Sequence, residues 1–449
     1  MRDVNSRHSY LFIRFPSVAA ALILSAALAA ARPDPAEGGL ASAGADPGAQ
    51  ANPPEVRIDL EQAIRLALAH NHALLAARST VDQSRAQEIT AAIRPNPVLT
   101  YDDLFVPITP GGFSTATFNN ITEFDIGANY TFERGHKRQA RIQAARDATS
   151  VTESQVKDAE RGLTFGVAQQ FVGVLLARST LDFARQDLAS FQQTVNLSQE
   201  QYRAGAISKG DFLKIKLQLL QFQTDVSAAQ LALVQALASL RQSLGYDAVP
   251  ANYDVVGDLS YASLKLNKQD LELMALRQRP DLLAAEQGVT AAGSQYSLAR
   301  ANGKRDLITN YLYTHVSALN SASFTLNIEI PIFDRNQGEI ARTHYAIGQS
   351  QENEKAVEDG VMTDVTNAYE GVRTDGQVVE LYQSGYLKQA QDSRDISEYA
   401  YKRGAASLLD FLDAERSYRS TQLAYRQALA NYMLAMEQLR EAIGTRNLP

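Results

Sequence analysis

His70 and His72 are the side chains of this 449-residue chain that most suggest metal chemistry. Two imidazoles chelate one ion only when they face the same way, and positions i and i+2 of a helix point about 200° apart. The pair is therefore read as part of a polar helix face. The sequence has no cysteine, which excludes disulfides, thiol catalysis, thiolate metal sites and a lipidated N-terminal cysteine. It shows no nucleophile–base pair, no phosphate-binding loop and no constellation of catalytic carboxylates. The residues predict no catalytic site, no cofactor and no metal centre, and so no enzyme.

The carboxylates that recur do a different job. Asp211 follows Ser208 by three residues, and Asp410 follows Ser407 by three. Each serine can cap a helix, with the acid placed where it completes the cap and suits the helix dipole. Gly205 and Gly404 stand just before, where a preceding helix ends in a left-handed residue that glycine adopts without strain. Two ordinary helical hairpins explain the glycine, serine and aspartate, but not why Phe and Leu follow in both copies.

These residues belong to a long internal repeat. Tyr202–Leu213 reads YRAGAISKGDFL and Tyr401–Leu412 reads YKRGAASLLDFL, identical at seven of twelve positions and 199 residues apart. The match continues to LRQSLG ending at Gly245 and LREAIG ending at Gly444. Upstream, FERGHKRQAR from Phe132 faces FDRNQGEIAR from Phe333, and the LLAA at Leu74 faces the LLAA at Leu282. One repeat of this size indicates a duplicated half-protein, a plan frequent in membrane transport. The expected organisation is a first repeat over 57–250, a connecting segment over 251–269 and a second repeat over 270–445. Each half reads as a helical segment (Leu60–Ile93, Asp270–Asn302), a β region (Val98–Phe132, Asp306–Phe333), a long helix (from His136 to about Tyr202, from Gln337 to about Tyr401) and a returning helix (Asp211–Leu244, Leu408–Ile443).

A helix of roughly 65 residues spans about 100 Å, so it must lie against other rods as in a coiled coil. Leu408, Phe411, Leu412, Tyr418, Tyr425, Leu429, Tyr432, Met436 and Leu439 recur mostly every three, four or seven residues, a stripe of that kind. Gly162, Gly166 and Gly173 mark a place for a bend in the first rod. In the β regions Phe124, Ile126, Ala128, Tyr130 and Phe132 alternate with Asp125, Gly127, Asn129 and Thr131. Phe324, Leu326, Ile328, Ile330 and Ile332 alternate with Thr325, Asn327, Glu329 and Pro331. That pattern suits outer-membrane barrel strands, apolar toward lipid and polar toward a lumen. Four strands cannot close a barrel, so several copies must contribute; eight and twelve strands are both open on periodicity alone.

The N-terminus and the charge set the compartment. Arg2, Arg7 and Arg14 precede the apolar run Val18–Ala30, which ends in Ala27-Leu28-Ala29, a cleavable export signal over 1–30. Residues 31–56, rich in Pro, Gly, Ala and Asp, read as a disordered linker. No later apolar stretch reaches about 18 residues, the length a spanning helix needs. A net charge of −7 and a pI near 5.5 leave no basic footprint for nucleic acid.

Three marks together resemble the TolC-type outer-membrane efflux proteins: the paired G-A-x-S-x-x-D-F-L turns, the paired F-[ED]-R segments leaving each β region, and RPNP at Arg94–Pro97. The resemblance covers about 57–445. It implies a mainly α fold with a small β part: a homotrimer with a periplasmic tunnel of long coiled-coil helices and a shared twelve-stranded barrel in the outer-membrane lipid, four strands per chain. It implies a passive exit duct of the bacterial outer membrane, working with a periplasmic adaptor and an inner-membrane pump, expected to be of the RND type. FERGHKRQAR and PIFDRNQGEIAR look like the heavy-metal branch (cobalt–zinc–cadmium or copper–silver). Multidrug export and type I secretion remain alternatives within the family reading, and a structural coiled-coil or surface-attachment protein outside it.

The resemblance also assigns roles. Gly205, Ala206, Ser208 and Asp211, with Gly404, Ala405 and Ser407, fall at the periplasmic tips that meet the adaptor. Asp410 and Asp413 match acidic residues lining the closed entrance, and Tyr401 matches a tyrosine of the gating network. Three carboxylates about 6 Å apart repel by roughly 3 kcal/mol per pair at an effective dielectric near 20, which favours cations or protons. Two departures stand out. Many relatives carry a lipidated N-terminal cysteine, and a basic gate residue is replaced here by Ala406. The two copies also differ just past the shared motif, where Lys214 stands against Asp413.

Overall fold

The computed structural model describes residues 56–448 except 113 and 318, so the expected signal and nearly all of the linker lie outside the described residues. The chain runs β1 (Arg57–Ile58), α1 (Leu60–His70), α2 (His72–Ala92), β2 (Val98–Leu104), α3 (Thr115–Asn120), β3 (Glu123–Phe132), α4 (Lys137–Arg203) and α5 (Lys209–Leu244). It continues with β4 (Asp254–Val255), α6 (Lys268–Gln278), α7 (Pro280–Asn302), β5 (Leu307–Val316) and β6 (Leu319–Ile328). Then come α8 (Gln337–Leu381), a π turn over Tyr382–Tyr386, α9 (Leu387–Lys402) and α10 (Leu408–Ile443). Among the described residues no helix is long and apolar enough to cross a membrane.

Local chemistry breaks the first helical segment of each half in two. Asn71 ends α1 and caps α2, its Oδ1 accepting from the Leu74 N–H and its Nδ2 donating to the Ser243 carbonyl. In the second half, Arg279 takes extended geometry and Pro280 supplies the first residue of α7, where a missing N–H costs nothing. His70 and His72 therefore sit on two helices either side of a cap, not at i and i+2 of one.

The rods also differ from expectation. α4 runs unbroken for 67 residues through Gly162, Gly166 and Gly173, about 100 Å of helix. It lies along α2, α5, α7 and α10, and that packing outweighs the roughly 1 kcal/mol each glycine costs in a helix. The break falls instead in the other half. Gly385, at φ 136°, interrupts the matching stretch between α8 and α9, a conformation open to glycine.

The sheet unites the two halves. Its order is β2-β3-β5-β6, antiparallel throughout, and β3 pairs β5 along its whole length, from Glu123 opposite Val316 to Phe132 opposite Leu307. The register resolves the faces. Tyr101, Ile126, Tyr313 and Ala322 share one, with Phe124, Tyr130, Tyr311, Phe324 and Leu326. Thr100, Asp125, Asn129, Asn310, Thr314, Ser321 and Thr325 share the other. β6 ends at Ile328, so Ile330 and Ile332, expected to continue it, lie in the connection to α8. A two-residue parallel pair, β1 with β4, ties the start of the described chain to the segment between the repeats.

Below the sheet the core comes in layers. Val167, Phe171 and Leu240 centre the cluster of the first half; Val361, Val365 and Leu439 centre that of the second. A third cluster joins both halves beside the hairpin tips, uniting Phe191 and Val195 of α4, Ile215 and Phe222 of α5, Tyr401 of α9, and Leu408 and Phe411 of α10.

Candidate functional site

The duplicated motif builds the same turn twice. At the end of α4 the Gly205 N–H donates to the Tyr202 carbonyl at 3.0 Å and the Ala206 N–H to that of Gln201 at 2.8 Å. At the end of α9 Gly404 donates to Tyr401 at 2.9 Å and Ala405 to Ala400 at 2.8 Å. This paired closure needs a left-handed residue, and the glycines lie at φ 75° and 74°. Ser208 and Ser407 then accept from the Asp211 and Asp410 N–H groups at 3.0 and 3.2 Å. Asp410 completes the box by accepting from the Ser407 N–H at 3.2 Å. Capping accounts for both aspartates.

The Phe that capping left unexplained has a partner. Tyr202 stacks on Phe212, centroids 5.1 Å apart and planes 6° from parallel; Tyr401 stacks on Phe411 at 5.4 Å and 8°. Each ring pair clasps its hairpin across the turn. The environments differ sharply. Tyr202 is 37% exposed and Lys216 lies over the Phe212 ring, whereas Tyr401 is 7% exposed and Phe411 only 1%. Burial pushes the Tyr401 hydroxyl, which faces the fully buried Ser198, above the ordinary tyrosine range.

The expected entrance residues separate accordingly. Tyr401 lies inside the chain, in the cluster shared by both hairpins. Asp410 and Asp413 are exposed, and Asp413 pairs with Arg416 at 2.7 Å, an open i,i+3 contact. In the first copy Lys214 reaches back to Asp211 at 3.5 Å. Gly205, Ala206, Gly404 and Ala405 are exposed at the turns. Both turns face one open cavity of about 900 Å³, which Asp211, Lys214, Ser407 and Leu409 help to line.

A turn above the aromatic layer lies a charged cluster that the sequence reading missed. Asp187 and Glu415, four residues from Phe191 and Phe411, are 4% and 5% exposed and share a hydrogen bond between their carboxyls. Arg419 reaches Asp187 at 2.6 Å and Asp225 at 2.5 Å, with its guanidinium over the Phe222 ring. Burial and the Asp187 carboxylate push Glu415 up to about 8; burial also raises Asp187, against Arg419. The signal was available: Glu415 falls on the buried stripe of α10 between Phe411 and Tyr418. Among the described residues no group of three or more His, Cys, Asp and Glu side chains is placed to hold a metal ion.

Two outer flanks stay apolar. On α5, Leu213, Leu217, Leu220, Leu231 and Val234 are exposed at alternating steps of three and four once Thr224 and Ser227 are counted. On α8 and α9, Val378 and Leu381 before Gly385 and Ile396 and Tyr399 after it are exposed, each pair three residues apart. Exposed apolar residues at such spacing make a stripe of the kind that packs against another helix. The outer strands β2 and β6 likewise have one neighbour each among the described residues.

Known proteins match this architecture over most of its length. The chain is 28% identical to the cation efflux system protein CusC of Escherichia coli (strain K12) over 313 residues, 67% of this chain and 68% of the relative. It is 24% identical to the cobalt-zinc-cadmium resistance protein CzcC of Cupriavidus metallidurans over 396 residues, 86% and 90% of the two chains. A crystal structure of CusC superposes with a TM-score of 0.72 at 24% identity, covering 86% of this chain and 92% of that one. The outer membrane protein VceC of Vibrio cholerae gives 0.70 at 18%, covering 86% and 96%. The family model described as outer membrane efflux protein matches residues 63–246 and 273–445. With both halves of the duplication inside that match, the chain belongs to the outer membrane efflux protein family.

Proposed function

We propose that three copies of this chain form a passive exit duct in the outer membrane for heavy-metal cations, fed by an inner-membrane pump of the RND type through a periplasmic adaptor. The observation that carries the reading is the four-stranded sheet with one mainly aromatic and apolar face, one mainly polar face interrupted by Leu312 and Ile308, and, among the described residues, two unpaired edges. In lipid an open edge leaves backbone groups unpaired at a cost of several kcal/mol each. Pairing β6 of one copy with β2 of the next removes both edges.

The helical seams support the same closure. α5 runs away from the tips and α9 toward them, so neighbouring copies set the two seams antiparallel. With the tips level, Leu217 of one copy meets Ile396 of the next, and Leu231 meets Leu381. The duct has no energy source of its own, and the pump supplies the drive.

Within this reading the exposed turns Gly205–Asp211 and Gly404–Ser407 receive the adaptor. Asp413, whose charge capping does not explain, faces the entrance with Asp410. The open Asp413–Arg416 pair, of a kind worth at most about 1 kcal/mol, yields readily to a passing cation. Tyr401 acts from inside the hairpin, through its stack on Phe411. The metal cargo rests on the relatives named for cation efflux and for cobalt, zinc and cadmium resistance.

The test is a deletion strain. Sensitivity to zinc, cobalt or copper salts, with heat-modifiable trimers in the outer-membrane fraction and single-channel conductance, is expected. Sensitivity to dyes and detergents alone would move the cargo to multidrug export. A soluble rod without conductance would end the duct reading.

A further inference from the structure

We propose that the Asp187–Glu415 carboxyl pair is a proton-dependent latch between the two helical hairpins, and that losing its shared proton frees the second hairpin to swing about Gly385. Three observations meet here. First, the pair spans the joint itself: Asp187 belongs to α4 of the first hairpin and Glu415 to α10 of the second, both almost wholly buried. Second, Arg419 binds across the same joint to Asp187 and to Asp225 of α5, so one side chain of the second hairpin holds both helices of the first. Third, the second hairpin has a hinge that the first lacks. Its descending rod is broken at Gly385, and of the sixteen residues of α9 below the break Tyr401 is the one buried.

The balance of charge decides what the proton does. Asp187 faces the site from α4 and Asp225 from α5. Arg394, from α9, is paired with Asp395 at 2.6 Å and lies over the Tyr418 ring; α10 gives Glu415, Tyr418 and Arg419. With Glu415 protonated, its hydroxyl donates to the Asp187 carboxylate, and Arg419 answers Asp187 and Asp225. When Glu415 gives its proton to water, a second buried carboxylate faces Asp187 with no new cation to meet it. Like charges in such a site cannot both stay ionised cheaply, and separating the hairpins relieves them. Two turns further along α4, the Thr194 hydroxyl donates to Glu398 at 3.2 Å, and Glu398 is also held by Lys402 at 2.6 Å. The cluster is thus the charged fastening on a face also held by the Phe191–Phe222–Phe411 layer and by the Thr194–Glu398 and Gln201–Lys402 hydrogen bonds.

The movement would set the width of the proposed entrance, but its detection does not depend on transport. In the full chain, which has no native cysteine, Arg203→Cys and Arg403→Cys carry nitroxide labels on the two tips. Trimers holding one labelled copy report the tip-to-tip distance by double electron–electron resonance. We expect one narrow distribution near pH 6 and a longer or broader one near pH 9, with Glu415→Gln narrow at both. Asp187→Asn serves if Glu415→Gln fails to assemble and is expected to be narrow throughout. Distributions that respond to pH alike in wild type and in the assembled variant, or respond in neither, would overturn the latch. Absence of channel conductance would count against the duct while leaving this readout intact.

Discussion

Tyr401 stacks on Phe411 with ring centroids 5.4 Å apart, closing the second hairpin with a clasp almost wholly out of water. Its counterpart, Tyr202 on Phe212, has nearly the same geometry and lies half open. Phe411→Ala should therefore destabilise the chain by about 3–5 kcal/mol, as large-to-small core changes do. Phe212→Ala should cost about 1 kcal/mol or less. Denaturant unfolding of the two variants in detergent measures the difference, and equal losses would show that the copies are packed alike.

Asp413 is where the second copy departs from the first, and its one ion-pair partner is Arg416 on its own helix. Asp413→Ala should raise single-channel conductance in planar bilayers and abolish divalent-cation block. Arg416→Ala should deepen that block, since it uncovers the carboxylate. Conductance and block unchanged in Asp413→Ala would take this residue out of the entrance.

Stability should fall as pH rises from about 4.5 to about 8. An ordinary glutamic acid gives up its proton near 4.5, whereas folded Glu415 holds it to about 8. The folded state therefore binds more protons across that window. The resulting stabilisation is fully present below about 4.5 and is lost as pH climbs through about 8. Thermal melts followed by circular dichroism should drop by several degrees over that range in the wild type and stay flatter in Glu415→Gln. Parallel melting curves would mean that the proton sits elsewhere.

The exposed seams predict a specific joint between copies. Leu217→Cys combined with Ile396→Cys should give an oxidised band of three linked chains. Leu217→Cys with Tyr345→Cys, exposed but off the seam, should not. Links forming equally in both pairs would point to random collision.

The fold could be read from the sequence wherever one periodicity ruled a whole element. The repeat, the alternating strands and the long rods are such cases. The turn also yielded, since Gly205, Ser208 and Asp211 each have one local job. What escaped depends on neighbours distant in the chain. Glycines at 162, 166 and 173 invite a bend that packing on α4 forbids, while Gly385, inconspicuous in sequence, takes the break. Asn71 looks like any polar residue until Ser243, 172 positions later, accepts its side-chain amide. Asp187 and Glu415 meet only once two hairpins are docked, so neither segment alone reveals the buried pair.

The unpaired edges of β2 and β6 carry a genetic consequence. In the proposed ring each copy would supply half of two joints and complete neither, so a chain with a spoiled β6 edge would still enter through β2 and leave the circle open. If such a variant, for instance one with proline in mid-strand, were produced in equal amount with the wild type, about one ring in eight of a three-membered assembly would hold only sound copies. The defective allele should therefore be dominant, and raising wild-type dosage should restore function steeply, as the cube of its share.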